Sequence, residues 1–238
     1  MLTKKQFASM QDHTIIGVHR DRKDVERMCK EALENEFACM YVNQTDLQLA
    51  RSIIPKGSKT RVGCPVGFPW GTSTVETKIA EGMDAIDKGA NALDIVINVH
   101  ELKNGNVDYV RNELKRFVKA VRDKANDILV KVIIECRFLT REEKIIATEL
   151  VVESGADYVK QATGETSNYS YLLGDLMLIN SVVKGRCGVK ASGWVITIED
   201  ALSAIEAGGA TLIGNDKAVD WLKDFDDNRW YEWANARK

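Results

Sequence analysis

Two lysines stand at the ends of consecutive short β-rich runs: Lys160 closes DYVK, and Lys190 lies in CGVKA. An ammonium inside an apolar frame is costly unless a carboxylate partners it. Two cations on neighbouring strands depress each other's pKa, which leaves a fraction of free amine at neutral pH, able to attack a carbonyl and form a Schiff base. On this reading Lys160 and Lys190 are nucleophile and tuner. Such chemistry also needs a group that moves protons when the carbinolamine dehydrates and when the enamine is protonated, and Asp94 within ALDIVIN is the candidate. Asn98, Lys131 and Glu135 are the other polar residues at strand ends. The plainer alternative is that each lysine is simply capped by a carboxylate for stability.

A second stretch, VKASGWVITIEDA at 189–201, reads as a strand that runs through a small-residue loop into a helix capped by Thr197, with Glu199 and Asp200 in its first turn. Turns of this kind hold phosphates in α/β enzymes, where glycine lets backbone amides approach the anion. Here Gly193 is followed by Trp194.

The elements that must position these residues follow from periodicity. Apolar runs give way to longer helix-period segments again and again: FACMYV then 44–54, TRVGCPVGF then 73–89, ALDIVIN then 106–125, LVKVIIE then 140–154. DYVK with 171–184, CGVKA with 197–207 and TLIG with 215–223 continue the series, and DHTII with 22–35 opens it. Gly-Ala before a strand recurs in GANALDIV, GADYVK and GGATLIG, as expected where a helix C-cap glycine hands over to a buried parallel strand. Eight βα units fit a (β/α)8 barrel better than a doubly wound open sheet. Only three prolines occur and no Ser/Gly-rich linker divides the chain, so residues 1–238 are expected to form one domain with a short aromatic-rich C-terminal tail.

Composition narrows the partners. With 33 basic and 35 acidic residues the formal net charge is −2, so there is no electrostatic footprint for nucleic acid, and a small molecule is the expected partner. Five cysteines without C-x-x-C spacing suggest no zinc site and read as reduced core thiols. Cys39 and Cys136, at strand ends, are expected to be buried and inert. Neither a signal peptide nor an 18-residue apolar run is present, which points to a cytoplasmic protein away from membranes. Neither G-x-G-x-x-G nor a Walker loop occurs.

DHT at 12–14, CPVGFPWGTS at 64–73, GANALDIVINVHELKNG at 89–105, KVIIECRFLTREE at 131–143, GADYVKQATG at 155–164 and VKASG at 189–193 together resemble the deoxyribose-phosphate aldolase family. The resemblance spans roughly residues 10 to 215 and implies a barrel fold, cofactor-free class I aldolase chemistry on a carbonyl or sugar substrate, and room for a homo-oligomer. It implies the Schiff base at Lys160, with Lys190 and Asp94 in the roles given above. It also implies a substrate contacted by Thr163, Gly164, Gly193, Trp194, Asn215 and Lys217.

The departures bear on the substrate's tail. After Lys160 the family reads Thr-Ser-Thr-Gly, whereas this chain has Gln161, Ala162, Thr163 and Gly164, then Glu165. The family's second glycine and its following arginine are Trp194 and Ile196 here, and its Gly-Ala-Ser is Gly214, Asn215, Asp216. Each change removes a donor or room, or adds negative charge, where an anion should sit. Asp216 is expected to take the helix-dipole position that a phosphate would use. The expectation is an aldolase with its lysines kept and its phosphate pocket lost, Trp194 capping or replacing it. The alternatives are a phosphate still held by Lys217 and helix amides from another angle, or a non-catalytic sugar-binding or regulatory barrel with relic lysines. His13 is expected to support the barrel floor, His100 to sit in a solvated loop, and Tyr231 to pack against the barrel or a subunit.

Overall fold

The computed structural model describes residues 2–165 and 171–225; Tyr231 and the rest of the aromatic tail lie outside them. The repeated change of period folds as eight parallel strands: β1 (Gln11–Ile15), β2 (Cys39–Val42), β3 (Arg61–Val66), β4 (Ala92–Val96), β5 (Leu129–Ile133), β6 (Tyr158–Lys160), β7 (Gly188–Ala191) and β8 (Leu212–Asn215). They pair in chain order, and β8 closes on β1 through Gln11–Ile213 and His13–Asn215. That closure distinguishes the barrel from an open doubly wound sheet.

The helices are α1 (Lys4–Ala8), α2 (Arg22–Glu34), α3 (Leu47–Ile53), α4 (Val75–Asp87), α5 (Val99–Lys103), α6 (Val107–Lys124), α7 (Arg141–Ser154), α8 (Leu173–Val183), α9 (Ile198–Glu206) and α10 (Ala218–Asp224). Asp21, Thr74, Thr140 and Thr197 cap α2, α4, α7 and α9 by accepting a first-turn amide. The Gly-Ala echoes are the helix exits: Gly89, Gly155 and Gly209 all adopt positive φ, which a side chain would strain. Two short helices go beyond the eight expected units. α1 brings Phe7 to stack on Phe225, centroids 4.9 Å apart. α5 carries His100, so this exposed histidine lies on a helix, not in a loop, and meets Asn104.

Alternate residues along each strand face different surroundings. Leu93 and Ile95 belong to the large apolar layer between strands and helices, whereas Ala92 packs with Cys39 and Tyr41 in a separate small cluster. Asp94 lies on the same side of β4 as Ala92. His13 points the other way, onto Phe37 and Glu31 of α2, and so supports the layer outside β1 instead of the barrel floor. Tyr41 fits between β2 and β3 because its register partner is Gly63; a Cβ there would lie 2.9 Å from the ring.

The end of β4 is held by a buried ion pair outside the barrel. Lys78 of α4 lies 2.6 Å from Glu113 of α6 and also donates to the Val96 carbonyl, while the other Glu113 oxygen accepts the Asn98 amide. Burial lowers the pKa of Lys78 and raises that of Glu113, which makes each charge dependent on the other. Glu113→Gln is therefore expected to cost about 3–5 kcal/mol in urea unfolding, the usual consequence of stranding one buried charge. The double change Lys78→Met with Glu113→Leu should recover most of it. A single variant within 1 kcal/mol of the parent (roughly the ceiling for an exposed pair) would show that the pair does not hold this corner.

Candidate active site

The strand register delivers the ionisable residues to one level of the barrel: Asp94 lies beside Lys131, and Lys160 beside Lys190. Closure of the ring brings Asp12 of β1 to the same place. Lys190 Nζ lies 2.8 Å from Asp94 Oδ2 and 2.6 Å from Asp12 Oδ2. Lys131 Nζ lies 3.1 Å from Asp12 Oδ2, 3.6 Å from Asp94 Oδ1 and 2.6 Å from the Tyr41 hydroxyl. Lys160 Nζ has one carboxylate contact, 3.0 Å from Asp94 Oδ2. Asp12 thus faces Lys131 and Lys190 through the same oxygen. All of these residues are buried; Lys160 retains 7% exposure.

Three ammonium groups thus share two carboxylates in a buried interior, an excess of one positive charge. Lys160 has the fewest compensating contacts. Burial first, and the positive charge of Lys190 second, pull its pKa down to about 8. Sequence reasoning named the neighbouring cation as the tuner, but desolvation is the larger cause. Lys131 moves the other way: burial would lower it, but Asp12 and Asp94 prevail and raise it. Burial would raise Asp94, yet Lys190, Lys160 and Lys131 together hold it well below the usual carboxylate range. The arrangement can supply an uncharged amine near neutral pH beside an ion pair able to exchange protons.

The remaining sequence-predicted residues, Asn215 excepted, lie around the mouth. Ser192 Oγ donates to the Ala162 carbonyl at 2.6 Å and ties β6 to β7. Thr163 donates its backbone amide to Glu135 and accepts that of Glu165 on its hydroxyl. Gly164 and Gly193 both have positive φ, and a Cβ on Gly164 would stand 3.5 Å from the Gly193 Cα, so the two loops touch. Trp194 also has positive φ, unusual for a bulky residue, and its indole N–H donates to the Gly164 carbonyl at 2.6 Å. Asp200 accepts the amides of Ile196 and Thr197, so the start of α9 is served by the chain's own carboxylate.

At β8, Gly214 faces the lysines, so Asn215, in register with the outward His13, turns its buried side chain to the helix-facing layer, with its NH2 on Gln11 and its side-chain carbonyl accepting the Lys217 amide; the sequence expectation that it contacts substrate is not met. Asp216, expected at the helix dipole, pairs with Arg20 of the β1 loop at 3.3 Å, and Lys217 is exposed. Cys39 and Cys136 are fully buried, and burial raises both thiols far above their ordinary values. Among the described residues, no group of three His, Cys, Asp or Glu side chains is placed to hold a metal ion, and no helix is long and apolar enough to cross a membrane.

A family model described as DeoC/LacD family aldolase matches residues 5–215. The chain belongs to that family. This aldolase, a carbon–carbon lyase by family, is 43% identical over 218 residues to the deoxyribose-phosphate aldolase of Clostridium perfringens, covering 92% of this chain and 95% of that one. It is 41% identical to the Thermoanaerobacter enzyme of the same name, over 92% and 96% of the two chains. Among solved structures it resembles the tetrameric deoxyribose phosphate aldolase of Aeropyrum pernix, with TM-score 0.82, 26% identity and coverage of 94% and 93%.

Asp12 and Tyr41 are the residues of the cluster that sequence reasoning did not single out. An acidic residue inside the first strand was the available signal for Asp12; Tyr41 looked like any aromatic in a β-run. The charge excess has a measurable consequence. With the Lys160 pKa depressed, an unfolded chain binds more protons than the folded one between pH 8 and 10.5. Stability linked to this residue therefore rises with pH across that window, and its penalty is fully present below it. Lys160→Met, which balances the charges at two and two, should melt above the parent at pH 7, and the gap should narrow as pH rises from 8 to 10. A gap independent of pH would refute this account.

Proposed function

We propose that this aldolase cleaves and forms carbon–carbon bonds through a Schiff base on Lys160, with Lys190 as tuner and Asp94 as proton carrier. The observation that carries the reading is the single excess cation, which falls on the lysine with the weakest compensation. The free amine of Lys160 adds to the substrate carbonyl, and the Lys190–Asp94 pair delivers the proton with which the carbinolamine hydroxyl leaves as water. The iminium then withdraws the electron pair of the breaking bond as the substrate's β-hydroxyl gives its proton to the Lys190–Asp94 pair. The acceptor aldehyde departs, the pair returns the proton to the enamine carbon, and water hydrolyses the resulting iminium to free Lys160. No cofactor enters this scheme. Acetaldehyde or a small ketone serves as donor.

For the rest of the substrate we propose a 2-deoxy sugar or related hydroxy-aldehyde whose tail carries no phosphate, lined by Thr163, Gly164, Gly193 and Trp194, with Lys217 at the β8 side. Two features support this. The Trp194 indole bridges the loops after β6 and β7, and Asp200 accepts the amides of Ile196 and Thr197 just before α9. Self-association belongs to the same reading, supported by exposed Ile146 and Met177 on α7 and α8.

Two experiments test this. Borohydride with acetaldehyde should label Lys160; Lys160→Ala should lose the adduct, and Lys190→Leu should keep it, with the ascending limb of kcat/KM moved to higher pH because a neighbouring positive charge is gone. Labelling at Lys190, or no adduct at all, would overturn the assignment. For the tail, kcat/KM for deoxyribose against its 5-phosphate is compared in the parent and in the variant Trp194→Gly, Ile196→Arg, Glu165→Lys. Restored space and charge-assisted donors, at roughly 1.5–3 kcal/mol each, should raise preference for the phosphate about tenfold or more. A parent that already prefers the phosphate by several orders of magnitude would refute the tail assignment.

A further inference from the structure

Tyr41 is buried with its hydroxyl in the ionic cluster, yet the Schiff-base steps do not use it. Its hydroxyl donates to Asp94 Oδ1 and accepts from Lys131 Nζ at 2.6 Å. An ammonium can only donate, so Lys131 fills a lone pair of the phenol oxygen and the phenolic hydrogen is directed at Asp94. The ring is fixed as well. Gly63 leaves no spare room beside it, and the ammonium groups of Lys190 and Lys131 lie 4.3 and 4.7 Å from its centroid. Both carboxylate oxygens of Asp94 are therefore distinguished: Oδ1 faces Tyr41 and Lys131, and Oδ2 faces Lys160 and Lys190 at 3.0 and 2.8 Å.

We propose that Tyr41 is a positioning residue for proton transfer: its phenol holds Oδ1 of Asp94 and thereby keeps Oδ2 as the one oxygen that passes protons between Lys190 and Lys160. This rests on the Schiff-base reading. The phenol itself stays protonated throughout, because burial and then the negative charge of Asp94 raise its pKa well above the ordinary value. It is a fixed donor, and the proton that moves crosses between Oδ2 and the lysine nitrogens. Without the hydroxyl, Oδ1 loses its neutral donor. The carboxylate is then free to turn toward Lys160 and stabilise the ammonium form of the nucleophile.

Tyr41→Phe tests this while keeping the ring against Gly63. The primary measurement is exchange of the acetaldehyde methyl protons with deuterium oxide, which reads enamine protonation without any carbon–carbon step. Borohydride trapping at Lys160 is measured in parallel. Exchange should fall about 10–100-fold while the Lys160 adduct still forms, and the ascending limb of the exchange-rate profile should move to higher pH. In an Asp94→Asn background the same substitution should add less than about twofold, as expected if Tyr41 acts only through Asp94. Exchange that matches the parent, an unshifted pH limb, or a full additive loss in the Asp94→Asn background would each overturn the proposal. Absence of a Lys160 adduct in the parent would instead remove the Schiff-base reading on which it stands.

Discussion

Three ammonium groups and two carboxylates confined at one level of a closed barrel set the terms for everything around them. In water the imbalance would be trivial; in an interior of low effective dielectric it is a strong demand that one proton leave. Lys190 is compensated by both aspartates and Lys131 by Asp12, Asp94 and a phenol oxygen, so the demand falls on Lys160. The lysine left short of a counter-charge is thus selected by what its neighbours already hold. Such a cluster is a poor source of stability, and the apolar layer between strands and helices, running from Ile15 and Met40 to Ile213, is what offsets it.

Rigidity is the second requirement, because a carboxylate that serves two lysines must not swing between them. β4 is held from within by the Tyr41 and lysine contacts to Asp94, and from outside by Lys78, which grips its last residue Val96, and Glu113, which grips Asn98 just beyond it. Glycine at position 63 is part of the same constraint, since it alone leaves space for the Tyr41 ring. Active constellations hold their geometry when the residues behind them are themselves locked by packing and hydrogen bonds.

The mouth of the barrel follows different physics. There the loops after β6 and β7 are joined through Ser192, Ala162 and the Trp194 indole, and the amides of Ile196 and Thr197 are spent on Asp200. An anion arriving at this rim would compete with a carboxylate already bonded to those amides. Charge balance inside the ring and loop contacts at its edge are therefore set by separate parts of the fold.

Much of this was legible before folding. The change of period identified the eight βα units, the Gly-Ala echoes marked three helix exits, and Thr197 announced its cap, because periodicity, capping and positive-φ glycine are local properties of the chain. Lysines closing apolar runs were equally visible, as was Asp94. The roles of Asp12 and Tyr41 were not, since Asp12 meets Lys190 only when β8 closes on β1, and Tyr41 meets Asp94 only across β3 and its Gly63. Nor could spacing reveal that Asp216 turns to Arg20, or that Trp194 reaches Gly164. The sequence by itself determined which groups the strands carry and which way they alternate. Only the tertiary structure decided which lysine is left short of a counter-charge, because that balance belongs to all the strands of the closed ring at once.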